Sequence, residues 1–318
     1  MSFKRFLKYT VATPYPVGPV NFYLLKADPF LVMVDSGPFS RQSIEYLEKN
    51  VDFRKIKYLL ITHCHPDHYG LCDYISKKGI EVFISEKDII KLNNNNIDKE
   101  IGYLKDAFSS FEFPENLISN IVNSIAEFEK TIPFPAKVNI LEKHDFKDIE
   151  IEFEPYSYHS LSDIVYFYDN YAITGDILLN GIFQTPLIEI DLNSDKKLFD
   201  NYGAFCNTLL KMKKLYGYNI LAGHGKVDNV KEAVIFYVNG ILERTFRIKY
   251  FLENSFSIYE ITSKILEQNA VFLRYYIKAS EVLFFKNFLN DPAKLRNSLI
   301  EIGLFEHLKT KFESVISC

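Results

Sequence analysis

The chain has no tryptophan, and only four of its 318 residues are cysteine: Cys64, Cys72, Cys206 and Cys318. They stand at no C-x-x-C or other paired spacing, which excludes a disulfide framework and a thioredoxin-like redox motif. That usage suits a reducing compartment, so a cytoplasmic location is the expectation. No run of about 18 apolar residues occurs, so no membrane-spanning helix is expected. The opening Met1-Ser-Phe-Lys-Arg-Phe-Leu lacks the long apolar stretch of a signal peptide. Charge of one sign is also lacking: the net value is −4, which gives no general pull toward nucleic acid or an anionic membrane. What is present is a hydrophobic content of 47 %, rich in Phe and Tyr, enough for one large domain and a smaller one.

Histidine is scarce as well, seven in all, yet three fall within six positions of Thr62–Gly70, T-H-C-H-P-D-H-Y-G. These are His63, His65 and His68, with Asp67 among them. The run Ile56–Ile61 before them is β-branched, aromatic and apolar and reads as a buried strand. In an extended segment His63 and His65 point the same way, and Pro66 then sets a rigid corner. From His68 the pattern reads as a helix stopping at Gly79, with Asp67 at the N-cap position. Imidazole and carboxylate are preferred ligands of zinc and similar ions, and a strand-to-helix junction is where α/β folds place ligands. Cys64 alternates away from the ligands and reads as a small buried hydrophobe.

H-x-H-x-D-H after a buried strand resembles the signature of the metallo-β-lactamase superfamily, and further matching motifs follow in order. Tyr158-His159-Ser160 comes after the strand-like Ile149–Glu154. Ile173-Thr174-Gly175-Asp176 ends the strand Tyr171–Thr174, and Ala222-Gly223-His224-Gly225 follows Asn219–Leu221. Upstream, Leu31–Gly37 and Gly18–Lys26 match early strands, so the resemblance covers roughly residues 10–228.

The resemblance implies a four-layer αββα sandwich holding two divalent ions, zinc first, with iron or manganese as alternatives. His63, His65 and His159 would hold the first ion, Asp67, His68 and His224 the second, and Asp176 would bridge them. Asp35 is expected to orient a liganding imidazole or to serve as a turn residue. Two ions about 3.5–4 Å apart can share a water and bring its pKa near neutrality, so hydrolysis by a bridging hydroxide is the leading chemistry. Asp67 is the candidate catalytic residue, orienting that hydroxide and carrying a proton to the leaving group. Tyr158 departs from the family, which usually has glycine before this histidine, and is a candidate pocket wall. His144 and His307 are left over and read as surface residues.

The chain divides into a catalytic domain, 1–228, and a helical C-terminal domain, 229–318. A helical insertion at about 86–130 contains Asp98–Phe108 and Pro114–Phe128. It is expected to overhang the metals, with Tyr103, Phe108, Phe111 and Phe113 as candidate substrate contacts. In the tail, Val230–Leu252 reads as one helix, Ser257-Ile-Tyr-Glu260 as a capping box, and helices continue to Leu289 and from Pro292 to Gly303. The tail resembles that of a glyoxalase II-like and β-lactamase-like branch of the superfamily. From residue 231 onward it carries 12 Lys and Arg against 10 Asp and Glu, too weak a basic bias for a nucleic-acid face. A small-molecule substrate is therefore the expected partner, with a second copy of the chain as a candidate. A small thioester, ester or lactone is favoured as substrate. The alternatives are phosphodiester cleavage and a mononuclear-iron persulfide dioxygenase. His65 argues against diiron oxygen-reducing relatives, which carry glutamate there.

Overall fold

The computed structural model describes residues 5–267 and 270–317; Met1–Lys4 and Cys318 lie outside them. Two sheets form the frame. The first runs β1 (Phe6–Val11), β2 (Val20–Ala27), β3 (Phe30–Val34), β4 (Ile56–Leu60), β5 (Glu81–Ile84) and β6 (Asn139–Ile140), side by side in that order. The second holds β7 (Ile151–Pro155), β8 (Ile164–Tyr168), β9 (Tyr171–Gly175) and β10 (Asn219–Ala222) in reverse order. Hairpin neighbours pair antiparallel, while β3 to β6 and β9 with β10 pair parallel through crossovers.

Helices α1 (Arg41–Asn50), α2 (Pro66–Tyr69) and α3 (Cys72–Ser76) lie on the outer face of the first sheet. The insertion is α4 (Glu86–Leu92), α5 (Asn94–Ser110) and α6 (Glu115–Lys130). Helix α7 (Asn201–Leu215) covers the outer face of the second sheet. The tail is α8 (Val230–Glu253), α9 (Ile258–Ile265), α10 (Phe272–Asn290), α11 (Pro292–Glu301) and α12 (Phe305–Ile316).

Side-chain alternation explains the layering. In β8, Ile164, Tyr166 and Tyr168 face the first sheet, where they meet Leu25, Val32, Leu60 and Phe83. Val165 and Phe167 point the other way, against Phe205 and Leu209 of α7. Both faces of the strand are covered, which is why it reads as a continuous apolar run. The expected four-layer αββα sandwich is thus present, and the tail shares one continuous apolar core with α5, α6 and α7. The capping box on α9 is formed by Ser257 and Glu260.

Two local expectations need correction. The helix from His68 to Gly79 is two pieces, α2 and α3, broken at Gly70 and Leu71. A Cβ on Gly70 would lie 2.4 Å from Phe39 N and 2.5 Å from Pro66 O, so the backbones are packed too closely there for any side chain. The N-cap of α2 is His65, with Pro66 in its first turn and Asp67 after it. The helix expected from Pro292 to Gly303 is present as α11, and after Gly303, at φ 74°, the chain turns into α12, which packs on α8.

Candidate metal centre

The ends of β4, β9 and β10 and the loop after β7 meet at one edge of the sandwich and bring all seven expected ligands together. Their donor atoms fall into three overlapping groups: His63 with His65 and His159, His63 with His68 and Asp176, and Asp67 with His68 and His224. Within each group the donor atoms lie within 4.8 Å of one another.

The ring orientations follow from the opposite edges of the imidazoles. His224 Nδ1 lies 2.8 Å from the Pro19 carbonyl and donates to it, which turns Nε2 inward. His68 Nδ1 donates to Asp35 Oδ2 at 2.8 Å. Thr62 Oγ1 donates to the same carboxylate, so its lone pair is free to accept from His63 Nδ1 at 3.1 Å. Asp35 therefore supports two histidines, one directly and one through Thr62. It does so from a left-handed backbone conformation, φ 61°, which aspartate tolerates better than most residues. Of the two roles expected of Asp35, the structure shows the hydrogen bond to an imidazole, that of His68. Thr62 was not singled out by the sequence, which gives a lone threonine at a strand end no distinguishing mark.

Two glycines make room. A Cβ on Gly223, before His224, would come within 2.2 Å of Asp176 Oδ1. A Cβ on Gly175, before Asp176, would come within 2.7 Å of Thr62 Oγ1. The loops are tied from outside as well. Asp88, at the start of α4, accepts from Cys64 N at 3.1 Å. Asp163 accepts from the backbone N–H of Tyr158 and Ser160, and Glu189 from that of Leu161, so the His159 turn is held on both sides. These isolated acids also escaped the sequence reading, because no spacing marks them.

The electrostatics separate the donors into two kinds. Burial, together with the neighbouring imidazoles, pushes His63 well below the usual histidine range. Burial, with the Lys91 ammonium adding to it, takes His65 down to about 4, and burial with His65 takes His159 down to about 3. These three rings are neutral at pH 7 and offer lone pairs. For His68 burial acts in the same direction, but Asp176, Asp35 and Asp67 outweigh it and raise the ring well above its usual range. Asp176 and Asp67 likewise outweigh burial at His224 and lift it to about 9. In turn, Asp176 and Asp67 are held low by these two histidines despite the opposing effect of burial.

This donor set fits divalent cations. His63 Nε2, His68 Nε2, His224 Nε2 and Asp176 Oδ1 are buried and have no hydrogen-bond partner. His68 Nε2 lies 3.3 Å from Asp176 Oδ1, and His224 Nε2 lies 3.3 Å from Asp67 Oδ2 and 3.4 Å from Asp176 Oδ2. Such spacings suit ligands gathered around an ion, and the two carboxylates call for positive charge there.

A family model described as the metallo-beta-lactamase superfamily matches residues 15–191. The chain belongs to that superfamily. A metallo-hydrolase fold thus carries the His and Asp groups described above. The probable metallo-hydrolase YqjP of Bacillus subtilis (strain 168) is 26 % identical over 245 residues, spanning 71 % of this chain and 73 % of that protein. A metallo-beta-lactamase family protein from Thermus thermophilus superposes with a TM-score of 0.70 at 19 % identity, over 92 % of this chain and 95 % of the other. A beta-lactamase domain protein from Burkholderia ambifaria gives the same TM-score at 15 % identity, over 90 % and 87 %. At these identities the two structures speak for the fold alone.

The cluster of histidines and aspartates opens into a cleft of about 480 Å³. His65, Asp67, His159 and Asp176 form one end. The insertion does contribute a wall, but through Ile125, Phe128 and Glu129 of α6 and Lys91 and Leu92 of α4. The aromatics expected there lie elsewhere. Phe108 is fully buried between Phe111, Phe113 and Tyr276, and Phe113 meets Tyr259 of α9, so this cluster fastens the insertion to the tail. Tyr103 is on the surface beneath the Lys197 ammonium. Tyr158 is also no part of the cleft wall. Its ring packs on Phe205 and Tyr237, and its hydroxyl, 2.6 Å from Ile177 O, braces the segment after Asp176. Cys64, by contrast, reaches the cleft lining, and burial pushes its thiol well above the usual range. His307 is exposed as expected, but His144 packs among Tyr58, Phe83 and Phe146.

No helix among the described residues is long and apolar enough to cross a membrane.

Proposed function

We propose that this chain is a hydrolase that binds two divalent ions, zinc before iron or manganese, and cleaves a small ester, thioester or lactone. The observation that carries the proposal is the overlap of three groups of His and Asp, in which the one of His63, His68 and Asp176 links the other two, with buried donor atoms left unpartnered. His63, His65 and His159 would hold one ion, Asp67, His68 and His224 the other, and Asp176 would reach both. Ions bound there supply a water activated near neutral pH and polarise the scissile carbonyl.

The chain's own residues supply the rest. Asp35 and the Pro19 carbonyl fix His68 and His224 with Nε2 inward. Asp67, at the cleft floor, orients the attacking water and carries its proton to the leaving group. The apolar walls keep bulk water out. Phosphodiester substrates fit less well. Lys91 is the single cation among the described cleft residues, and its ammonium is bonded to Glu189.

The test is metal analysis of protein purified without chelator, followed by a panel of thioesters, esters, lactones, β-lactams and phosphodiesters. The expected result is about two ions per chain, hydrolysis of a carboxylic substrate, and loss of that activity in His63→Ala. A single iron with oxygen consumption would overturn the reading.

A further inference from the structure

The metal cluster occupies one end of the cleft, and the rest of its lining is mostly apolar. Those walls come from separate parts of the chain: Val17 from the loop before β2, Ile125 and Phe128 from α6, Phe183 and Leu187 from the segment after Asp176, and Ile277 from α10. Sequence far apart has thus converged to make a continuous greasy surface beside a charged one.

The polar groups along these walls are largely engaged by the protein itself. Lys91 is bonded to Glu189, which also accepts from Leu161 N. Gln184 Nε2 donates to the Asp176 carbonyl. The Tyr276 hydroxyl donates to Ile188 O at 2.6 Å. Glu129 faces the same ammonium field as Glu189. An anionic or strongly polar substrate body would find few partners and no unpaired cation on the described lining. At the mouth, Val271, Phe272 and Leu273 open α10 with exposures of 65 %, 40 % and 38 %, so the apolar lining continues outward onto the surface.

We propose that the substrate carries an unbranched apolar chain on the acyl side of its scissile bond, and that this cleft binds the chain. The inference rests on the hydrolase reading for its reactive end, but its apolar half stands on the lining alone. The carbonyl lies at His65, Asp67, His159 and Asp176, and the chain runs between α6 and α10 toward Leu273. The volume falls within the range that encloses a drug-sized molecule, so a medium-length chain is accommodated. Specificity then comes from the insertion and the tail, and the ligand loops supply only the chemistry.

Two measurements on metal-reconstituted, full-length protein test this. The first is hydrolysis of p-nitrophenyl esters and of N-acetylcysteamine thioesters from acetyl to dodecanoyl. kcat/KM is expected to rise about fourfold per methylene until the cleft is filled, in both series alike. Leu187→Trp should move the optimum to a shorter chain, and Ile277→Phe provides the same test should the first variant not fold. The second needs no turnover: displacement of the fluorescent apolar probe ANS by alcohols from ethanol to dodecanol, with the same chain-length rise and the same shift in the variants. Hydrolysis that is flat across chain length, with displacement equally flat, overturns the proposed apolar site and leaves the hydrolase reading standing. Length-dependent displacement without hydrolysis of any ester, thioester or lactone supports the apolar site and overturns the hydrolase reading.

Discussion

Three imidazoles, His63, His65 and His159, meet on one side of the centre, while on the other Asp67, His68 and His224 gather around the reach of Asp176. All are buried or nearly so, yet burial leaves the first set neutral and is overruled in the second. The difference is the neighbours: imidazoles repel one another's protons, whereas carboxylates attract them. The first half offers neutral rings, of which His159 Nε2 and His65 Nδ1 lie 3.0 Å apart and share one hydrogen bond. The second half holds its charge balance with protons that a divalent cation must displace, so its affinity should fall more steeply as pH drops.

Chelation acts on both halves at once and should have the largest effect. Hydrolysis is expected to vanish and to return with added divalent ion. The melting temperature should fall by several degrees in differential scanning fluorimetry, since ligand at about a hundred times Kd contributes roughly 2.7 kcal/mol. Unchanged melting and unchanged activity would end the metal reading of both halves.

His159→Ala and His224→Ala separate them. Each should leave about one ion per chain by metal analysis, because each would remove one of the four protein ligands, Asp176 included, proposed for a different half. Activity should drop by more than the tenfold to hundredfold typical of residues that only orient a ligand. If either variant kept two ions, the division into halves would be wrong.

Asp35→Asn comes next, with metal affinity about tenfold to a hundredfold weaker in a chelator competition. Thr62 N–H, Thr62 Oγ1–H and His68 Nδ1–H all donate to Asp35, so an amide NH2 would face a donor. Asparagine tolerates the left-handed backbone, which keeps the turn. Measured in the His159→Ala background, the loss should persist, since Asp35 holds His68 directly and reaches His63 only through Thr62.

Glu189→Gln reports on the other half. It strips the buried Lys91 of its bonded carboxylate and should cost about 3 kcal/mol in denaturant unfolding. It also loosens the His159 turn through Leu161. Smallest of all is Tyr103→Ala, expected within about 0.5 kcal/mol and kinetically silent, as befits a surface ring outside both halves and outside the cleft. A changed chain-length preference in that variant would restore Tyr103 to the substrate wall.

The seven candidate ligands that the fold brings together were legible because each follows a strand and their identities narrow to His and Asp. The central strands were legible as short, continuous runs of apolar and β-branched residues, because both of their faces are covered. What could not be read were features that exist only after packing. Phe108, Phe111 and Phe113 look like pocket aromatics, but α9 and α10 arrive over them and bury them. Ile125 and Phe128 fit an ordinary amphipathic helix, and only the placement of α6 above His65 gives them a cleft to line. Tyr158 fills its space with an aromatic ring rather than opening the loop. Asp88 and Glu189 are single acids whose partners lie far along the chain. Gly70 breaks a helix because of a backbone contact with Phe39 that no local pattern encodes.

The distribution of ligands over both sheets also sets an order of assembly. His63, His65, Asp67 and His68 are local and can chelate weakly even in a largely unfolded chain. His159, Asp176 and His224 join them only where β7 to β10 have paired and docked on the first sheet, through contacts that span much of the sequence. Full occupancy of the proposed centre would therefore report that the two sheets have come together. A chain arrested before that step would still pick up metal, but in the wrong number and with the wrong geometry.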